Sequence, residues 1–209
     1  MAAIVRRIGP LGREARRRGR PGDAYGALVR TIVGQQLSTK AARSIYNRLA
    51  AIFGNRPPTP EELLAADEDE LRAAGLSRPK IRYLRDLASH VLAGEMDFDS
   101  MHALSDEEVS ARITAVKGLG QWSADMFLMF HLGRPDVLPV GDLGIRRAVE
   151  RAYDLPAMSG PDALRALAEP WRPHRTLASL YLWESLTLDS LGFLARIDGD
   201  GNADVSVDL

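Results

Sequence analysis

The chain has 209 residues, 45% hydrophobic and 26% charged, with a formal net charge of −1; that is enough to bury a sizeable core, in one large domain or two small lobes, and is ordinary for a soluble globular protein. Cysteine is absent, which removes disulfides, iron–sulfur clusters and thiolate zinc sites, and the scattered histidines His90, His102, His131 and His174 form no pair at metal-ligand spacing. No apolar run reaches the ~18 residues of a membrane span and none follows the N-terminal arginines, so a cytoplasmic protein with no membrane partner is expected.

Taken in chain order, residues 1–22 read as a basic, loosely ordered arm broken by Gly and Pro. Charge is uneven: residues 1–56 hold 12 Lys/Arg against 2 Asp/Glu, and the remainder 15 against 26. A basic quarter can attract a polyanion although the whole is near neutral; a solvated arginine-rich surface is the plain alternative. From Asp23 the apolar spacing becomes helical and stops near Gly34. Ser38 is the expected N-cap of a second helix, with Ala41, Ala42, Ile45, Leu49 and Ile52 on one face. Thr59 with Glu62, Asp67 with Glu70, and Ser105 with Glu108 have the spacing of capping boxes. A longer helix is expected from Ser77 to Gly94. The segment "VKGLGQWSADMF" interrupts the pattern with Gly118 and Gly120 before an apolar helix resumes. "RPDVLPVG" is an extended connection, Asp142 opens another helix, and two further helical patterns follow. No β-alternation and no repeat is present, so the fold is read as all-α. The tail 191–209 is acidic and expected to be disordered. Its likeness to a calcium loop fails at Ala203 and Leu209, where Gly and Glu are needed.

A glycine–x–glycine turn between helices has a physical use. The backbone can approach a phosphate closely, and the N–H groups opening the next helix lack intrahelical acceptors at the positive end of the helix dipole. A plain helix–helix connector is the alternative for this turn taken alone. Asp142 taken alone is an ordinary N-cap.

The run Val116, Lys117, Gly118, Leu119, Gly120, Gln121, Trp122, Ser123, Ala124 resembles the hairpin element of the helix-hairpin-helix DNA glycosylase superfamily, with Lys117 where Pro is usual. "LPVGDLGIRRAV" resembles that family's catalytic segment, and Asp142 stands 22 residues after Gly120. "LVRTIVGQQLSTKAARSIYNRLAAIFG" and "LSRPKIRYLRDLA" resemble its other helices. The likeness covers about residues 23–190 and is greatest to the 3-methyladenine DNA glycosylase II type, without that branch's optional N-terminal β domain.

The resemblance implies an all-α, two-lobed fold with the active site in the cleft between lobes, built from a glycosylase domain over 23–190. It implies a monofunctional glycosylase of base excision repair, acting as a monomer on double-stranded DNA and, in a bacterium, on the nucleoid. Such an enzyme would flip out alkylated purines of the 3-methyladenine and 7-methylguanine class. Asp142 would be catalytic. Lys117, Gly118, Leu119, Gly120 and Gln121 would hold DNA phosphate. Trp122 and Trp183 would line the base pocket, completed by Tyr25 and Met126, with Phe127 and Tyr181 as further candidates; for all of these core packing is the alternative. Gln36 and Leu37, beside Gln35, match the wedge that fills the vacated stack. No catalytic cofactor is implied, but a structural Na+ or K+ would rest on the carbonyls of Thr114, Val116 and Leu119. Bifunctional relatives carry a lysine where Trp122 stands, and indole cannot form a Schiff base. A non-catalytic DNA-binding module, a glycosylase for another lesion, and an all-α scaffold are the competing readings.

Overall fold

The computed structural model describes residues 1–11 and 23–189. Among these residues there are eleven α-helices, two short 3-10 turns and no strand. The chain divides into two compact units, Met1–Arg17 with Pro135–Leu209, and Arg18–Arg134. The domain expected over 23–190 spans parts of both units. The division instead returns the first residues of the chain to the C-terminal unit.

Helix α1 (Ala2–Ile8) opens the chain. The expectation of a loosely ordered arm is wrong for residues 1–11. Ile4 and Leu11 are buried with Ile145, Ala148, Val149, Leu164, Tyr181 and Leu182, and Ile8 packs against them. The hydroxyl of Tyr181 donates to the carbonyl of Gly9 at 3.0 Å. The spacing of Ile4, Ile8 and Leu11 places one apolar stripe on a helix and its exit. Residues 12–22 and the tail 191–209 lie outside the described residues.

The unit Arg18–Arg134 holds α2 (Ala24–Gly34), α3 (Thr39–Ile52), α4 (Pro60–Ala65), α5 (Glu68–Ala73), α6 (Arg78–Leu92), a 3-10 turn (Ser100–Ala103), α7 (Asp106–Ala115) and α8 (Gln121–Phe130). Its helices begin where side chains can accept the orphan amides of a first turn. Asp23 accepts from Gly26 and Ser38 from Ala41. Thr59–Glu62 and Ser105–Glu108 form reciprocal boxes. Asp67 accepts from the amides of Asp69 and Glu70, one half of the box expected there. Each cap contributes ~1 kcal/mol. Helix α2 packs on α3, α6 and α8, and α7 packs on α8. Leu28, Ile32, Leu49, Leu63, Leu71, Leu84 and Ile113 are fully buried, each contributing ~1.5–3 kcal/mol.

The other unit continues with α9 (Leu143–Ala152), α10 (Pro161–Leu167), a 3-10 turn (Glu169–Trp171) and α11 (Arg175–Asp189). Both α1 and α9 pack on α11. The chain passes from one unit to the other between Arg134 and Pro135, and an arginine pins it on each side. Arg134 donates to the carbonyls of His102 and Leu104 at 3.2 and 2.6 Å. Arg175 holds the Asp136 carboxylate at 2.8 and 3.0 Å, a two-pronged pair that fixes direction as well as distance. No helix among the described residues is long and apolar enough to cross a membrane.

Candidate functional site

The turn between α7 and α8 is held from outside at two consecutive residues. Asp86 of α6 accepts from the Lys117 amide at 2.8 Å and from the Lys117 ammonium at 3.0 Å. Burial pushes the Asp86 carboxyl up, but the hydrogen bonds from Lys117 and the charges of Lys117 and His90 outweigh it, and it lies below its ordinary value. Gly118 has φ +82°, and a Cβ there would sit 2.3–2.7 Å from the Tyr83 ring. Both backbone conformation and packing therefore require glycine at 118. Gly120 is different. Its φ of −108° suits any residue, and a Cβ would meet nothing within 4 Å. A glycine that the protein itself does not need leaves its backbone open to something outside it.

Of the groups expected to grip phosphate, two are already engaged. The Lys117 amide is taken by Asp86, and the buried Leu119 donates its amide to Val116 at 3.1 Å. The amides of Gly118, Gly120 and Gln121 find no acceptor among the described residues. Those of Gly120 and Gln121 open α8 at its positive end, which is the arrangement that suits an anion.

Beside the turn is a groove of about 690 Å³, with Gln35, Leu37, Lys80, Tyr83, Gly118 and Trp122 among its lining residues. Trp122 is 42% exposed and Leu37 38%, and both line this one groove. Gln36, in the same loop and also lining the groove, has φ +58°. For a residue with a Cβ that conformation costs roughly 1–2 kcal/mol, and strain of this kind collects at functional loops. Lys80 donates to the carbonyls of Val33 and Gln35 at 2.7 and 2.8 Å, and Gln35 Nε2 donates to the Gly118 carbonyl at 2.6 Å.

In the other unit, Asp142 caps α9. One carboxylate oxygen, Oδ1, accepts from the Ile145 amide at 2.8 Å and from Trp183 Nε1 at 2.9 Å. The cap and the candidate catalytic group are thus one residue, and the two readings do not exclude each other. Trp183 is half-buried, packed against the core that holds Ile145 and Leu182. A Cβ on Gly144 would meet Asp142 Oδ1 at 3.0 Å and the Trp183 ring at 3.2 Å, so glycine lets the indole lie against the start of α9.

The predicted residues thus fall into two clusters. Trp122, Gln36, Leu37 and Gly118 come together in one unit, and Asp142 with Trp183 in the other. Tyr25 lies outside the lining of this groove and is buried, at 7% exposure, because Tyr25, Leu28, Val29 and Ile32 share the inward stripe of α2. Phe127 and Tyr181, at 4% and 6%, are core for the same reason. Met126 is half-buried and lies outside the groove lining. Sequence reading missed Lys80, Tyr83, Asp86 and Gly144. The first three follow one another at three-residue steps on one face of α6, a signal that was there to read.

Backbone donors of this kind hold a strand without reading its sequence, and a helix–turn–helix hairpin that presents them belongs to the helix-hairpin-helix class of DNA proteins. Comparison with known proteins narrows the class. The chain belongs to the HhH-GPD superfamily of base excision DNA repair proteins, whose description matches residues 29–173. DNA-3-methyladenine glycosylase 1 of Schizosaccharomyces pombe is 37% identical over 168 residues, 79% of this chain and 74% of that one. The putative DNA-3-methyladenine glycosylase YfjP of Bacillus subtilis is 29% identical, covering 78% of this chain and 59% of that protein. The solved structure of the Schizosaccharomyces pombe 3-methyladenine DNA glycosylase in complex with abasic DNA superposes with a TM-score of 0.80 and 33% identity, over 89% of this chain and 90% of that one.

Proposed function

We propose that the chain is a monofunctional DNA glycosylase that everts alkylated purines of the 3-methyladenine and 7-methylguanine class from duplex DNA, hydrolyses the N-glycosidic bond and leaves an abasic site. The family, and relatives named for 3-methyladenine, support the reading. The observation that carries it is the Asp142 carboxylate, fixed by a backbone amide and an indole N–H. Loss of a base leaves positive charge on the deoxyribose. A carboxylate held in place beforehand stabilises that charge without reorganising, and can orient the attacking water. An alkylated purine is cationic and leaves readily, so a second carboxylate acting as general acid is not required. Its charge also favours an electron-rich indole face by ~0.5–2 kcal/mol, which the exposed ring of Trp122 offers.

Trp122 stands where bifunctional relatives carry their lysine, and it has no amine to attack the sugar; this supports hydrolysis without strand cleavage. The carbonyls of Thr114, Val116 and Leu119 suit a structural Na+ or K+. Those of Thr114 and Leu119 accept no hydrogen bond among the described residues, while that of Val116 accepts one from Leu119 and has a second lone pair. Such an ion would add positive charge at the turn and take no part in the chemistry.

Mass spectrometry of bases released from methylated duplex DNA tests the reading, with borohydride trapping on abasic DNA beside it. The wild-type chain should release methylated purines and form no covalent adduct. Asp142→Asn should lose about 10²–10³-fold in excision, on the scale of removing one preorganised electrostatic group. Asn is a good N-cap, so stability and affinity for an abasic analogue should change by less than threefold. Near-normal excision by the Asn variant would clear Asp142 of any chemical role.

A further inference from the structure

The loop after α2 and the turn before α8 are far apart in sequence and joined in space. Val33 and Gln35 lie at the C-terminal end of α2, where helix carbonyls lack intrahelical partners. Lys80 donates to both, at 2.7 and 2.8 Å, placing a cation at the negative end of that helix. Gln35, so held, reaches across 83 residues of sequence to donate to the Gly118 carbonyl at 2.6 Å. On the next turns of α6, Tyr83 lies against Gly118 and Asp86 holds Lys117. Gln36, next to the clamped Gln35, is in the left-handed conformation, within a turn that the Leu37 amide closes on the Gly34 carbonyl at 3.2 Å.

We propose that Lys80 and Gln35 are positioning residues that weld the loop 35–37 to the turn 118–121, so that gripping a DNA strand and inserting the loop into the vacated stack are a single rigid-body step. The proposal rests on the glycosylase reading for what the loop inserts into. It assigns Lys80 a task other than the obvious one for a groove lysine, which is to meet a phosphate. Its ammonium is committed to two carbonyls, and burial lowers its pKa from the ordinary value.

The two tasks separate experimentally. Affinity is measured for a duplex carrying a stable abasic analogue and for the same strand alone, over a range of salt, with the full chain and with Lys80→Met, Gln35→Leu and the double variant. Each single variant should lose about tenfold on the duplex and less than twofold on the single strand. The double should lose no more than the worse single, because both cut one connection. The salt slope on the duplex should be unchanged. A slope reduced by about one, the loss expected for a removed phosphate contact, overturns the proposal; so do equal losses on both DNAs, additive losses, or no loss. Should Lys80→Met fail to fold, Gln35→Leu alone carries the duplex-to-single-strand comparison. If the wild-type chain released no base from methylated DNA while these affinities behaved as stated, the glycosylase reading would fall and the weld would stand.

Discussion

The two units hold their candidate groups in opposite ways. In the unit Arg18–Arg134 the candidate groups are backbone amides, and side chains hold the backbone. Asp86 takes the Lys117 amide, Tyr83 covers Gly118, and Gln35 takes the Gly118 carbonyl. In the other unit the candidate group is a side chain, and the backbone helps to hold it. The Ile145 amide fixes Asp142 as part of starting α9, and the Trp183 indole holds the same oxygen. The turn draws its holders from elsewhere in the sequence, whereas the holders of the carboxylate include a neighbour, Ile145, beside a distant residue, Trp183.

The sharpest test of the first half is to exchange the two glycines of the turn in separate variants. Gly118→Ala must place a Cβ within 2.3–2.7 Å of the Tyr83 ring, at φ +82°. Strain and displacement together should cost about 3 kcal/mol or more in urea unfolding. Gly120→Ala meets open space at an ordinary φ. It should change stability by less than ~1 kcal/mol yet weaken DNA binding about fivefold, an on-the-scale cost for keeping a methyl group between backbone and phosphate. Equal effects of the two substitutions on stability would show that the turn does not divide its glycines between packing and ligand approach.

The second half is tested by Trp183→Phe. Phe keeps an aromatic ring but loses the pyrrole edge of the indole, and with it the N–H to Asp142 Oδ1. A hydrogen bond to a charged group is worth ~1.5–3 kcal/mol, so kcat for base release should fall about tenfold or more, with KM within twofold. If Trp183 served only as a stacking surface, Phe would raise KM and leave kcat alone. That outcome would break the contrast, since the indole N–H would then add nothing to the hold on Asp142.

The same contrast explains what the sequence disclosed. Capping residues such as Thr59 and Ser105, the helical spacing of α6 and the Gly118–Gly120 pair are local signals, and each reads directly from neighbours three or four positions away. Asp142 as the cap that opens α9 was legible from the helical pattern that follows it. Tyr25 misled, because an aromatic on an apolar stripe reads alike as core or as pocket. Helix α1 was hidden by the arginines around Ile4 and Ile8. Lys80, Tyr83 and Asp86 escaped because their partners lie 31 to 47 residues away for the bonded pairs; a sequence shows that they share a face of α6 but not what that face meets. Gly144 resembled any glycine near a helix start until the indole of Trp183 was placed against it.

The smallest expected effect concerns pH and again separates the units. Asp86 is a carboxylate whose folded pKa lies below its ordinary value: burial pushes it up, and the bonds and charge of Lys117, with His90, pull it down further. A depressed carboxylate adds stability that is fully present above the ordinary range, about pH 4, and is lost as pH falls through the folded value. The clamp on the turn should therefore be intact from neutral pH down to about pH 5 and weaken only below about pH 4. Asp86→Asn keeps an acceptor for the Lys117 amide but not the charge. Its stability deficit relative to wild type, measured in urea, should be largest near pH 6 and should shrink at pH 2.5. A deficit that stayed constant across that range would mean that the carboxylate's charge contributes nothing to holding the turn, and that the Lys117 amide and the packing of Tyr83 suffice.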